Sequence, residues 1–148
     1  MIHFEGDRAF PLPVAEVAAK LSDVAYLVSS LSDAQITSSS ADRATWKLRP
    51  KLAFMSGSLD TTMEATERDP GKSVAFKIFT KAIGASSTVV TRLEFHPSDA
   101  GGTSIHWTGD LTEVTGLLKI VPKGLLQGTA EKVIDDVWAA VTAKLTSA

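Results

Sequence analysis

The sequence predicts an α+β fold: a curved antiparallel sheet of about six or seven strands around a long C-terminal helix, with two short helices after the first strand. Three observations predict it. After Pro122, Leu126, Ala130, Val133, Ile134, Val137, Trp138, Val141 and Leu145 fall on one arc at about 100° per residue. Glu131, Lys132, Asp135 and Asp136 fall on the opposite arc, so the segment is a two-sided rod. The middle of the chain alternates apolar and polar residues in runs broken by turn signals, the pattern of consecutive antiparallel strands. Between the first strand and those runs stand two short stretches with helical spacing.

Ile2 to Phe10 reads as the first strand, ended by Pro11-Leu12-Pro13. Val14, Val17, Ala18 and Leu21 recur at helical spacing, and Pro13 suits a first turn. Asp23 is placed to cap a second helix whose apolar members are Tyr26, Leu27 and Leu31. Strands follow from Ala34. Thr45 to Leu48 and Leu52 to Phe54 flank Pro50, an edge or bulge signal. Leu59, Thr61, Met63 and Ala65 alternate with polar neighbours, and Asp69-Pro70-Gly71-Lys72 is a turn in which proline presets φ and glycine accepts a positive one. Val74, Phe76 and Ile78 carry the next inward face. Ser87, Val89, Thr91, Leu93 and Phe95 carry the one after it. Beyond the turn from Pro97 to Gly102, Thr103, Ile105, Trp107, Gly109 and Leu111 carry the last. Gly124 and Gly128 should loosen the start of the final helix, which from Thr129 meets no breaker. Roughly 20 residues at 1.5 Å each make it about 30 Å long. One rod cannot cover a strongly bent sheet, so part of the concave face should remain open as a cavity, mostly apolar with a few polar groups.

Composition narrows the function. The 148 residues are most simply one domain, 1–148, with enough chain for a core without staples. A net charge of -2 with scattered Lys and Arg makes no case for nucleic acid. Cysteine is absent, which removes disulfides, thiol nucleophiles and thiolate metal sites and suits a reducing cytoplasm. The start MIHFEGDRAF lacks the features of a signal peptide, and no run approaches 18 apolar residues.

The opening Phe4-Glu5-Gly6, then Pro13, Val17, Leu21 and Asp23, resembles the START-like helix-grip (SRPBCC) superfamily of polyketide cyclases and lipid-transfer domains. So do Gly57-Ser58-Leu59, Gly102-Thr103-Ser104-Ile105-His106-Trp107 and the terminal helix with Ile134. Within it the chain is most similar to the G-type accessory proteins of carbon monoxide dehydrogenase, across essentially its whole length. It departs from that family at Val17-Ala18, where Val-Trp is usual, and at Ser32-Asp33, where Pro-Gly is usual. The resemblance implies a ligand-binding habit and, by analogy, an oxidoreductase partner.

No catalytic constellation stands out. His3, His96 and His106 lack metal-ligand spacing, and His96 and His106 alternate out of phase with the apolar residues. Ser38-Ser39-Ser40 and Ser86-Ser87 have no G-x-S-x-G context. Glu131, Asp135 and Asp136 read as a solvated helix face. No metal and no cofactor is expected. The aromatic residues Trp46, Phe54, Phe76, Phe95, Trp107 and Trp138 fall on inward positions, whereas Phe79 does not. The candidate ligand-binding residues are therefore Trp46, Phe54, Leu59, Met63, Phe76, Ile78, Val89, Thr91, Leu93, Ile105, Trp107, Ile134 and Trp138. Thr61, Ser87 and Thr103 join Thr91 as candidate orienting hydroxyls. The apolar stretch Gly116 to Leu126, with Lys119 and Lys123, reads either as a connection tucked under the last helix or as a gate or shallow membrane-touching edge.

The reading that follows is a non-catalytic carrier of an apolar small molecule, lipid or quinone-like. Two alternatives stay open: a cyclase or dehydratase-type enzyme using the same cavity, and an accessory component of a larger oxidoreductase. The enzyme reading needs an ionisable group pointing inward, and the facing of Glu5, Asp7, Arg8 and Arg49 is open.

Overall fold

The computed structural model describes residues 2–31, 34–48, 59–82, 84–99 and 101–146. Strand β1 (Ile2–Phe10) leads into helices α1 (Val14–Leu21) and α2 (Val24–Ser29). Six strands follow: β2 (Gln35–Ser39), β3 (Arg43–Leu48), β4 (Leu59–Asp69), β5 (Ser73–Ala82), β6 (Ala85–Pro97) and β7 (Thr103–Gly116). A short 3-10 turn (Leu117–Ile120) then feeds helix α3 (Lys123–Thr146). The strands form one antiparallel sheet in the order β1-β7-β6-β5-β4-β3-β2. This is the expected helix-grip architecture, a curved sheet with one long C-terminal helix. Phe54 and the expected strand Leu52 to Phe54, with Arg49 and Pro50, lie outside the described residues, as do Ser32-Asp33 and Gly57-Ser58.

The alternation of β1 is clean: Phe4, Arg8 and Phe10 turn to the concave side, and His3, Glu5 and Asp7 to the outside. Bulges bend the sheet and reset its faces. One lies in β4, between Ala65 and Glu67. Another sets Thr88 and Val89 of β6 against Glu113 and Leu111 of β7. The extra residue, Thr112, shifts the period of β7 by one, so Val114 and not Glu113 faces inward. Glycine is required where the last turn of β7 meets β5–β6. Gly116 has φ +61°, and a Cβ there would stand 1.9 Å from the Gly84 carbonyl oxygen.

The core sits where α1 and α2 lie across one end of the sheet. Val17, Leu21, Val24, Val28, Phe76 and Ile105 are fully buried there. Asp23 caps α2 as expected, accepting hydrogen bonds from the backbone N–H groups of Ala25 (3.0 Å) and Tyr26 (3.4 Å). The buried face of α2 is Val24 and Val28, however, not Tyr26 and Leu27, which are half-buried. Arg68 of β4 ties this corner down. Its Nε and Nη2 donate to the Ser22 carbonyl at 3.1 and 2.8 Å, and it also reaches the Ala41 carbonyl and the Asp42 carboxylate.

Helix α3 starts at once after Pro122 and is about 36 Å long at 1.5 Å per residue. Only its C-terminal part is gripped: Trp138, Val141 and Leu145 are buried. Lys144 near its end hydrogen-bonds Ser29 Oγ and lies 4.3 Å from the Tyr26 ring centre, joining it to α2. Toward its start, Leu125 is 47% exposed, Val133 48% and Val137 38%. The apolar arc is continuous, but its first half has no protein surface pressed against it.

Candidate functional site: an apolar cavity between the sheet and the last helix

A cavity of about 380 Å³ lies between the concave sheet face and the half of α3 that stands away from it. The sheet supplies most of its wall, because the inward positions of β3 to β7 converge there. Trp46 comes from β3, Leu59 and Met63 from β4, Phe76, Ile78 and Thr80 from β5, Val89, Thr91 and Leu93 from β6, and Trp107, Gly109, Leu111 and Val114 from β7. Phe4 of β1 adds to the same surface. The helix roofs it with Leu126, Thr129, Ala130, Val133, Ile134, Val137, Trp138 and Val141. Leu21, Leu27, Val28 and Leu31 close one end from the two short helices, and Leu118 of the 3-10 turn closes the other. Since Val133 and Val137 both line it and stand partly in solvent, the cavity opens to water along that side of α3.

Of the candidate residues, Trp46, Leu59, Met63, Phe76, Ile78, Val89, Thr91, Leu93, Trp107, Ile134 and Trp138 are brought together on this wall. Ile105 is not: it is fully buried, closed into the core on the stretch of β7 that α1 covers. Phe95 is likewise core. Thr103 is corrected too, since its buried hydroxyl donates to the Leu12 carbonyl at 2.7 Å and so serves the β1–α1 junction. Thr61 is buried beside Thr80 and does not line the cavity, whereas Ser87 does. The hydroxyls at the wall are those of Thr80, Ser86, Ser87, Thr91 and Thr129. The Thr91 hydroxyl already donates to the Thr108 carbonyl at 2.9 Å, and that of Ser86 is paired with Thr115 at 2.6 Å. Sequence reasoning missed Thr80, Ser86 and Thr129. A strict alternation count from Ile78 would have found Thr80.

No ionisable side chain lines the cavity among the described residues. Glu5 and Asp7 point to the outer face, where they form a chain with the histidines. His3 Nδ1 donates to Asp110 (2.5 Å), and His106 Nδ1 donates to Asp7 (3.0 Å). Glu5 stands between the two imidazoles, 3.4 Å from His3 Nε2 and 3.9 Å from His106 Nε2. Hydrogen bonding to Asp110, then to Glu5, raises the pKa of His3; hydrogen bonding to Asp7 raises that of His106. His96 is exposed. Arg8 does turn inward, yet it stops at the side of Trp138, its guanidinium 5.6 Å from the ring centre and Nη2 3.5 Å from Asp135. There a second, polar pocket of about 370 Å³ opens between β1 and α3, lined by His3, Phe4, Glu5, Trp107, Gln127, Glu131, Ile134 and Asp135. Glu131 and Asp135 are thus rim groups of this side pocket, not merely a solvated face.

The stretch from Gly116 to Leu126 does not tuck beneath α3. Leu118 is buried against the cavity, while Ile120 is 78% exposed beside exposed Lys119 and Lys123.

A family model described as polyketide cyclase / dehydrase and lipid transport matches residues 1–146. The chain belongs to that family. A conserved protein from Geobacillus kaustophilus shares its fold with a TM-score of 0.83 at 19% identity, over 97% of this chain and 94% of that one. A START superfamily protein from Mycobacterium smegmatis does so with a TM-score of 0.67 at 9% identity, over 96% and 95%. At such identities the likeness concerns the fold. No curated protein matches the chain. The polyketide cyclase / dehydrase and lipid transport family thus accounts for the architecture, and the cavity is where its members' chemistry can differ.

Proposed function

We propose that this protein binds and carries an apolar small molecule, lipid or quinone-like, in the cavity between the sheet and α3, without catalysing its conversion. The observation that carries the reading is the lining: aliphatic and aromatic side chains with a few hydroxyls and no described ionisable group. General acid–base chemistry needs a titratable side chain within hydrogen-bond reach of the substrate, and the wall offers none among the described residues. This favours the carrier over the cyclase or dehydratase alternative. Burying apolar ligand surface yields about 25 cal/mol per Å², so a wall of this kind suffices for affinity.

A cysteine-free chain suits the cytoplasm. Exposed Ile120 and Leu125 beside Lys119 and Lys123 suit a shallow touch on an anionic membrane at the cavity's end. The finer resemblance to the G-type accessory proteins of carbon monoxide dehydrogenase would make an oxidoreductase the recipient, a reading that fails if affinity purification returns no such enzyme.

Native mass spectrometry after incubation with extracted lipids should show the protein with one bound molecule. Ala130→Phe, which fills the roof, should abolish uptake while the circular dichroism spectrum is unchanged. Equal uptake by this variant would remove the cavity from the account. Vesicles containing phosphatidylglycerol should accept the cargo faster than neutral ones, and Lys119→Glu with Lys123→Glu should erase the difference.

A further inference from the structure

Two buried side-chain nitrogens among the described residues have no hydrogen-bond partner, Trp107 Nε1 and Arg8 Nε. They belong to one corner. Both residues sit on the concave face of the β1–β7 pair, where Gly6 is the register partner of Trp107 and Arg8 follows two residues on. The indole lies over Gly6, so close that a Cβ there would be 3.0 Å from Nε1. Trp138 closes the corner from α3, its ring centre 6.2 Å from that of Trp107. Folded proteins satisfy nearly all buried N–H groups. Two unsatisfied at one corner point to an acceptor supplied from outside the chain.

Trp107 also stands where the two cavities meet. With Phe4 and Ile134 it lines both the apolar cavity and the side pocket. The side pocket carries the carboxylates Glu5, Glu131 and Asp135, with His3 and Gln127. Three carboxylates repel an anionic head group. A neutral oxygen acceptor has no such quarrel with them.

We propose that this corner is a polar subsite for a neutral carbonyl oxygen (ketone, quinone or ester) of an otherwise apolar ligand. Trp107 Nε1 donates to that oxygen, and Arg8 Nε is the second donor. The body of the ligand fills the main cavity, and its oxygen lies at the junction with the side pocket. The inference rests on the main cavity being a binding site and adds the functional group its ligand must carry.

The test uses fluorenone and fluorene, one three-ring skeleton with and without a carbonyl, with affinities measured by isothermal titration. The wild-type protein should prefer fluorenone by about fivefold, the worth of one hydrogen bond. Trp107→Phe should bring the ratio to about one, and Arg8→Met should lower it. Circular dichroism checks both folds, and either variant alone suffices. Equal affinities in the wild type would assign the two N–H groups to water and overturn the subsite while leaving the carrier reading intact. A preference that survives both substitutions would also overturn it. Tighter binding of fluorene-9-carboxylate than of fluorenone would overturn the neutral acceptor. Uptake of none of the three would overturn the carrier reading and the subsite with it.

Discussion

His3 and His106 are held to carboxylates on the outer face of β1 and β7, and both pKa values are raised above the ordinary 6.5. A group whose folded pKa lies above its unfolded one adds stability that is complete below the unfolded value and is lost as pH climbs through the folded value. The melting temperature should therefore fall as pH is raised from about 6.5 through the elevated folded values. The double variant Asp7→Asn, Asp110→Asn should flatten that fall; an unchanged profile would mean the pairs contribute nothing in solution. Gly116 acts sterically instead. With φ +61° and a Cβ position 1.9 Å from a backbone oxygen, Gly116→Ala should cost about 3 kcal/mol, and thermal melts should fall by roughly 10 °C. These two effects were unequally legible. Glycine there could be read as a breaker, but nothing in the one-dimensional pattern brings Gly84 beneath it. The histidine pairs need the β1–β7 register, which sets residue 3 against residue 110 and residue 7 against residue 106.

Among the elements, α3 is held at one end only. Its buried residues lie between Trp138 and Leu145, and the half roofing the cavity has exposed Leu125, Val133 and Val137. Gly124 and Gly128 add low helix propensity to that half. Hydrogen–deuterium exchange should be faster across 123–137 than across 138–146, with bound ligand slowing the first half alone. Uniform exchange would mean the helix is gripped throughout. The helix itself was plain in the sequence, since its period is strong and unbroken. What its pattern hid was that the apolar arc faces empty space for half its length. Periodicity records that side chains are apolar, not whether anything touches them. The β7 phase was hidden for a different reason: the Thr112 bulge moves Val114 inward, and a bulge depends on the partner strand.

Across the whole molecule, strand sequence, sheet order and cavity follow from two facts legible in the chain, a period of two and a single long rod. The wall residues of β3 to β7 were found because half-buried strands alternate strictly. The parts supplied by α2, the 3-10 turn and Phe4 were not, because end closure depends on how elements meet rather than on their own periodicity. Ile105 shows the converse: its phase is correct, yet the far end of its strand is sealed by α1. Phase chooses a face of the sheet, and only the neighbours decide whether that face is dry core or accessible wall. All three tryptophans of the chain, Trp46, Trp107 and Trp138, came to rest on the accessible kind. The protein is consequently its own optical reporter: anything that fills the space alters the surroundings of every indole at once, so cargo can be followed by native emission without a label.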